Sequence, residues 1–227
     1  MKHLKPWQVI LSAATILLMA AGCSKNDNGP VPAVSAVSII GASADAPGLI
    51  VYLDQNRVNG DSLHFSDHTG YVNAYSGSRQ VTAYAGQIKK LSGTIALDQG
   101  KFYSLFLAGK FQSAEFVLLQ DSLVNPGTGK ANIRFVNMSV DAPSLDLGLA
   151  DGSTLVSGRT YKQNSAYITV NGGQSYHFVI REHGATAVKV DMPAGTLNSG
   201  HSYTIWAKGL YTATGSNVLG GAVIENY

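Results

Sequence analysis

Apolar and polar residues alternate along most of the chain, and the apolar positions recur with a period of two. This is the pattern of β-strands that bury one face and expose the other. The runs are short, and turns such as Ala150-Asp151-Gly152, Asn171-Gly172-Gly173 and Asn198-Ser199-Gly200 separate them. Glycine and asparagine accept the positive φ of tight turns at low cost. No segment repeats apolar residues at the three-to-four-residue spacing of an amphipathic helix, so the pattern predicts an all-β sandwich or barrel.

The alternation also predicts which residues are buried. Leu49, Val51 and Leu53 form one apolar run in the first part of the chain. In the second part, the pattern gives six or seven short strands in roughly 90 residues. The predicted buried positions there are Ile133 and Phe135; Leu145, Leu147 and Leu149; Ile168 and Val170; Tyr176, Phe178 and Ile180; Val188 and Val190; and Tyr203, Ile205 and Ala207.

One short motif occurs twice. Ser43-Ala44-Asp45-Ala46-Pro47 recurs 96 residues later as Ser139-Val140-Asp141-Ala142-Pro143, and each copy precedes an alternating apolar run. Several matches in the same order at a nearly constant offset predict two homologous units. The further matches are Tyr71-Val72 with Tyr167-Ile168 at the same offset, and Gly100-Lys101-Phe102-Tyr103 with Gly200-His201-Ser202-Tyr203 at an offset of 100.

The boundary between the two units is marked by Asn125-Pro126-Gly127-Thr128-Gly129, a turn-rich stretch between two alternating regions. Residues 125–130 are therefore predicted to be a linker. Residues 37–124 and 131–227 are predicted to be two tandem β-sandwich domains. A chain of 227 residues is long enough to bury two cores of this kind.

The first 22 residues have the composition of a signal peptide. Lys2 and Lys5 precede an apolar run from Val9 to Ala21, and small residues follow it. The run is too short for a membrane-spanning helix, which needs roughly 20 apolar residues. Residues 1–22 are therefore predicted to be removed on export.

Leu18-Met19-Ala20-Ala21-Gly22-Cys23 resembles a lipobox, in which small residues precede a cysteine that is acylated and becomes the new N-terminus. The alternative is an ordinary secretory signal with an incidental cysteine. Cys23 is the only cysteine of the chain and cannot form an internal disulfide. Residues 23–36 are rich in proline and small polar residues and are predicted to be a lipid-anchored, flexible tether.

The segment Ser24–Asn28 is similar to the polar stretch that directs Bacteroidota lipoproteins to the cell surface. The expected localisation is the outer membrane, with the protein facing either the cell surface or the periplasm. The membrane is then one partner, through the lipid on Cys23.

The Ser-x-Asp-Ala-Pro motif before an apolar strand, the closing Gly-x-x-Tyr strand, the tandem arrangement and the lipoprotein start resemble one bacterial family. It is the exported domain-of-unknown-function family 4397, and the resemblance covers about residues 37–227. It implies an immunoglobulin-like or transthyretin-like sandwich. It carries over no established activity and no catalytic residues.

Charge argues against nucleic acid as a partner. The chain has 16 basic and 14 acidic side chains, but Lys2 and Lys5 belong to the predicted signal peptide, which holds no acid. The remainder has 14 of each, and they are scattered. Nucleic-acid binding needs a clustered basic face.

The repeated carboxylates, Asp45 and Asp141, have two interpretations. A carboxylate in an exported β-domain can bind calcium. A structural turn is favoured, because aspartate bonds nearby backbone groups and proline fixes φ. The structural interpretation assigns the same role to the whole motif, which comprises Ser43, Asp45 and Pro47 in one copy and Ser139, Asp141 and Pro143 in the other.

The best candidates for metal ligands are His64, Asp67 and His68, which lie within five residues. A four-residue histidine spacing aligns ligands on a helix, whereas these residues lie at a strand end and loop. We therefore expect neither a metal nor another cofactor. No G-x-S-x-G elbow is present, and His177, His183 and His201 are read as incidental, so the chain is not expected to be an enzyme.

The aromatic residues could form a platform on which a sugar ring stacks. Trp206 matches Phe106 in the repeat, and both are expected in the core. Tyrosines such as Tyr75 or Tyr211 could contribute to adhesion if they are exposed.

Two functions remain open from the sequence. The first is a non-enzymatic surface binding or adhesion module whose loops contact a glycan or protein partner. The alternative is a structural assembly subunit, either pilus-like or an envelope scaffold, in which the apolar run Asn217–Tyr227 exchanges as a strand with a neighbour. Completion of its own sheet by that run is favoured.

Overall fold

A computed structural model describes residues 33–226, and eighteen strands account for most of them. Two single-turn 3-10 helices, Phe111–Ser113 and Gly215–Asn217, complete the regular structure, and residues 33–226 contain no α-helix. The prediction of an all-β chain is confirmed. The predicted signal peptide, Cys23 and most of the tether lie outside the described residues. No helix in the described part is long and apolar enough to cross a membrane.

The first half of the structure consists of two four-stranded sheets, with strand orders β4-β1-β7-β8 and β3-β2-β5-β6. Its strands are β1 (Val34–Gly41), β2 (Leu49–Leu53), β3 (Asn56–Arg57), β4 (His68–Tyr75), β5 (Gly77–Ala85), β6 (Ile88–Leu97), β7 (Phe102–Ala108) and β8 (Glu115–Asp121).

The second half has four-stranded sheets of order β12-β9-β17-β18 and β11-β10-β14-β15, and a two-stranded sheet formed by β13 and β16. Its strands are β9 (Lys130–Asn137), β10 (Leu145–Leu149), β11 (Thr154–Arg159), β12 (Ile168–Asn171), β13 (Gln174–Tyr176), β14 (Phe178–Glu182), β15 (Val188–Asp191), β16 (Gly195–Leu197), β17 (Ser202–Lys208) and β18 (Gly220–Glu225).

The two halves share strand order and register. In each half the first strand pairs in parallel with the second-last strand of its sheet, as Ala36 opposite Phe102 and Asn132 opposite Ser202. These pairs are related by the same offsets, 96 and 100, that relate the sequence motifs. Residues matched by the sequence repeat therefore occupy equivalent places in the two halves.

Each half buries its own apolar core between its two sheets, and the alternating positions fill it. Leu49, Val51 and Leu53 lie in the first core, and Leu145 and Leu147 lie in the second. Val188 is an exception: it is 47% exposed, because the pairing of β14 with β15 shifts register between Ile180 and Arg181. The prediction that Val188 shares a buried face with Val190 is wrong for this reason.

A third core joins the halves. The sheets β4-β1-β7-β8 and β12-β9-β17-β18, here called the inner sheets, pack against each other, and the other two four-stranded sheets are called the outer sheets. The rings of Phe106 and Trp206 are 5.6 Å apart at this contact and both residues are fully buried. The buried residues of the third core are Ile40, Ala42, Phe106, Ala108, Val136, Met138, Trp206 and Ile224. The central strands of the inner sheets are consequently buried on both faces.

The first strand differs in detail from its predicted boundary. The first strand begins at Val34, although the tether was predicted to run through residue 36, and Ala36 is buried opposite Phe102. The strand begins early because Ala36 and Val37 belong to the packed inner sheet. At the C-terminal end of the described residues, β18 pairs with β17 of the same chain. Glu225 lies opposite Tyr203 at one end of this pairing, and Gly220 lies opposite Lys208 at the other.

Candidate functional site

The repeated Ser-x-Asp-Ala-Pro motif forms the turn between the first two strands of each half. In the first half, Ser43 is buried and Pro47 is exposed. Asp45 Oδ1 accepts hydrogen bonds from the backbone N–H of Phe111, at 2.8 Å, and from Ser43 Oγ, at 3.3 Å. This carboxylate therefore ties the turn to the 3-10 helix that follows β7.

The second copy makes the same connection with more bonds. Asp141 Oδ1 accepts from the N–H of Tyr211 at 2.6 Å, and Oδ2 accepts from the N–H and hydroxyl of Thr212 at 3.2 and 2.7 Å. Burial opposes ionisation of Asp141, but these hydrogen bonds outweigh it and lower the pKa of the carboxyl group. Ser139 is fully buried beside it and Pro143 is exposed. Both motif carboxylates thus already have protein donors.

We expect Asp141→Asn to lower the free energy of unfolding by about 1–2 kcal/mol at neutral pH, because it removes the charged acceptor of three hydrogen bonds. The folded-state pKa of Asp141 is lowered, so its contribution is present above the unfolded pKa of about 3.9 and is lost as the pH falls through the folded value. Urea unfolding between pH 7 and pH 3 measures this. The control, Asp61→Asn at an exposed site, should change stability by less than about 0.5 kcal/mol. The stability difference between wild type and Asp141→Asn should shrink as the pH falls. If it stays the same at pH 3, the charge of Asp141 is not what stabilises the turn.

The histidine-rich loop brings two of its three candidate ligands together. Asp67 Oδ2 accepts from the backbone N–H of His64 at 2.9 Å and lies 3.4 Å from His64 Nδ1. His68 belongs to β4, where it pairs with Ile40. Within residues 33–226, no group of three or more His, Cys, Asp or Glu side chains is arranged to hold a metal ion.

A serine, a histidine and a carboxylate meet on the outer sheet of the second half. Ser157 Oγ and Asp146 Oδ1 lie 3.1 and 3.0 Å from the same atom, Nδ1 of His183. A hydrolytic triad needs the serine on one ring nitrogen and the carboxylate on the other. Asp146 also accepts from the backbone N–H of Gly158 at 2.6 Å. The cluster therefore fastens the sheet edge and lacks the geometry of a nucleophile and its base.

The outer sheet of the first half carries an open groove of about 520 Å³ on its solvent face. A diagonal stripe of four side chains crosses it, one from each strand: Arg57 of β3, Tyr52 of β2, Tyr84 of β5 and Lys89 of β6. Arg57 lies directly opposite Tyr52, and Lys89 lies directly opposite Tyr84. The two tyrosine rings meet edge to face with centroids 5.6 Å apart. The stripe thus has an aromatic centre with a cation at each end.

Backbone and side-chain bonds hold the Arg57 end of the stripe in place. Arg57 Nε donates to the carbonyl of Asn59 at 2.7 Å, and a second guanidinium nitrogen donates to the carbonyl of Gly60. Asp54, in the turn between β2 and β3, has a φ of 54° and accepts from the N–H of Gln80 at 3.0 Å. The β2–β3 turn is therefore fastened to β5, and these bonds hold one end of the groove in place.

The equivalent face of the second half is closed. Asp146 and Arg181 occupy the places that Ile50 and Tyr84 have in the first half, and Gly148 occupies the place of Tyr52. Arg181 is 7% exposed and lies across Gly148, where a Cβ would overlap its guanidinium. Its Nη2 donates to the carbonyl of Leu149 at 2.9 Å. The tyrosine pair is therefore a feature of the outer sheet of the first half, and the outer sheet of the second half does not have it.

This groove was not predicted from the pattern of apolar and polar residues. No role was predicted for Tyr52 or Tyr84, although both stand at outward positions, Tyr52 between buried residues of β2 and Tyr84 beside buried Ala83 of β5. The tyrosines proposed from the sequence for adhesion lie elsewhere: Tyr75 is 58% exposed at the end of β4, and Tyr211 is half-buried with its hydroxyl bonded to Glu182. An aromatic on the polar face of a strand, opposite a basic residue, was the available signal.

Comparison with known proteins yields one family. A family model described as "Domain of unknown function (DUF4397)" matches residues 35–148, which is half of the chain and runs from β1 into β10. No curated protein matches the chain.

Proposed function

Because the chain belongs to the DUF4397 family, we propose that it is a lipid-anchored, non-enzymatic binding module of the cell envelope, whose first-half groove holds a glycan. The observation that carries the proposal is the tyrosine pair of the groove, flanked by basic and amide side chains. Aromatic faces bordered by hydrogen-bonding side chains are suited to sugar rings, which have apolar faces and polar edges.

We infer that the body of the module is two tandem copies of one transthyretin-like sandwich. Lettered A to H along the chain, the eight strands of the four-stranded sheets in each half have orders D-A-G-H and C-B-E-F. An immunoglobulin constant domain instead has A, B, E and D on one sheet and C, F and G on the other. The common offsets of 96 and 100 support descent of both halves from one unit.

The anchoring part of the proposal rests on the N-terminal sequence. Residues 1–22 have the pattern of a signal peptide and Cys23 follows a lipobox-like stretch. The first strand begins at Val34, so about ten residues connect the proposed lipid to the folded body. That length would hold the body close to an outer-membrane surface, facing either the exterior or the periplasm.

The non-enzymatic part of the proposal is supported by the serine–histidine–carboxylate cluster. Ser157 and Asp146 share one nitrogen of His183, which is the wrong arrangement for general-base catalysis. Nucleic acid is left out of the proposal because acidic and basic side chains balance after residue 22, and two cations in one groove do not make the clustered basic face that nucleic-acid binding needs.

The alternative function, a pilus-like or scaffold subunit, would require a strand that leaves its own sheet. The strand nominated for exchange, β18, pairs with β17 over its whole length and contributes Ile224 to the core between the halves. Exchange would expose that core, so the binding module is favoured.

The proposal can be tested on intact bacterial cells that express the full chain. The cells are incubated with a panel of acidic and neutral fluorescent oligosaccharides, and the fluorescence that they retain is measured. We expect wild-type cells to retain at least one probe. Tyr84→Ala should reduce retention about tenfold or more while the protein stays in the membrane fraction, because the stacking ring is lost. Cys23→Ala should move the protein to the soluble fraction.

The control is Tyr75→Ala, which removes an exposed tyrosine outside the groove and should leave probe retention unchanged. Retention that survives Tyr84→Ala rules out the groove as the binding site. Membrane association that survives Cys23→Ala rules out the lipid anchor. Labelling that appears only after the outer membrane is opened places the protein on the periplasmic face.

A further inference from the structure

The groove has a charge pattern that narrows its ligand. We propose that it binds an acidic oligosaccharide, one whose carboxylate or sulfate groups pair with Arg57 and Lys89 while its rings lie over Tyr52 and Tyr84. This inference rests on the proposed glycan-binding function and specifies the ligand class.

The cations of the groove are available to a ligand. The Lys89 side chain is exposed, and its ammonium group has no hydrogen-bond or ion-pair partner among the described residues. Arg57 is also exposed, and its bonds to the carbonyls of Asn59 and Gly60 orient the guanidinium without neutralising it. A guanidinium held by neutral acceptors keeps its charge and further donors for an anion.

The single acid among the described lining residues, Asp54, is already neutralised. Its Oδ2 accepts from Arg79 at 3.1 Å, and its Oδ1 accepts from the backbone N–H of Gln80. The groove therefore presents two positive charges and one paired negative charge. A ligand with negative charge is favoured over a neutral one by this balance.

The dimensions and the remaining polar groups favour a chain of sugars. The stripe crosses four strands, about 14 Å at the usual strand spacing, so its two cations can contact anions on different residues of one ligand. The amide side chains of the lining, Gln55, Gln80 and Gln87, are donors and acceptors for hydroxyl groups. An acidic peptide such as oligoglutamate would satisfy the charges but has no ring to lie over the tyrosines.

The test is direct titration of the full-length protein in detergent. The probes are a tetrasaccharide of galacturonic acid with its methyl-esterified form, and a sulfated tetrasaccharide with its desulfated form. We expect at least one acidic probe to bind about tenfold or more tightly than its neutral counterpart, with affinity that falls as salt is added. Lys89→Gln should weaken that probe about tenfold and leave neutral probes unaffected. Lys101→Gln, an exposed lysine outside the groove, is the matched control and should change nothing.

The outcomes separate the inference from the proposed function. Equal binding of acidic and neutral forms, abolished by Tyr84→Ala, overturns the inference and keeps glycan binding. Binding of an oligoglutamate peptide with no binding of any tetrasaccharide overturns both in favour of an acidic peptide. Acid-selective binding that Lys89→Gln leaves intact assigns the selectivity to another surface and also overturns the inference.

Discussion

Arg134→Met is expected to lower the free energy of unfolding by about 3–5 kcal/mol, because it leaves the Asp121 carboxylate buried without its counter-charge. The Arg134 side chain is 1% exposed and that of Asp121 is 0% exposed. Asp121 ends β8 in the first half and Arg134 lies in β9 of the second half. The ion pair therefore joins the halves where no solvent can replace a missing partner.

A polar network surrounds this ion pair. Asp121 Oδ2 accepts from the hydroxyls of Tyr71 and Ser104, at 2.6 and 2.9 Å. Arg134 Nε donates to Thr204 Oγ1 at 2.9 Å, and its guanidinium lies 5.1 Å from the centre of the Tyr167 ring. Burial, followed by the Asp121 charge, raises the pKa of Tyr71, so its hydroxyl stays protonated and donates. Both members of the ion pair are buried and hydrogen-bonded, so removal of one charge leaves the other without its counter-charge in a site of low dielectric.

Urea unfolding can separate the effect of an unpaired buried charge from the effect of altered packing. The variants to compare are Arg134→Met, Asp121→Leu and the double variant. A buried pair replaced entirely by apolar residues is often near neutral in stability. We therefore expect the double variant to be more stable than either single variant. The control is Arg79→Met, which breaks a half-exposed ion pair with Asp54 and should cost about 1 kcal/mol or less. If the double variant instead loses as much free energy of unfolding as the two single variants together, an unpaired buried charge is not the cause of the loss.

Trp206→Ala is the second large effect, with an expected loss of about 3–5 kcal/mol, because it opens a cavity in a fully buried core. Trp206 is 0% exposed and packs on Phe106, from the other half. Since both inner sheets line this core, unfolding of one half exposes apolar surface of the other. The wild-type protein should therefore unfold in a single transition.

Calorimetry measures both parts of this second prediction. The control, Tyr75→Ala, removes an exposed aromatic and should change stability by less than about 0.5 kcal/mol. Two separate transitions in the wild type, with Trp206→Ala shifting one of them, would mean that the halves are independent and that the core between them adds little.

Several features follow from local sequence alone. The all-β class, the turns at 150–152, 171–173 and 198–200, and the buried faces of β2 and β10 follow from a period of two and from residues that accept tight turns. The repeat offsets anticipate the equivalent registers. Small elements were missed because β3, β13 and β16, of two or three residues, are too short to show a period.

The tertiary structure alone decided which sheets meet and which face solvent. The sequence predicts Trp206 and Phe106 to be buried, but only the packing of the inner sheets places them in a core shared by both halves. The same packing brings Arg134 onto Asp121 and leaves the outer sheets free, one with Tyr52 and Tyr84 in a groove and the other closed by Arg181. Alternation along a strand specifies its two faces but not the surface that each face meets, because that contact is made by residues distant in sequence.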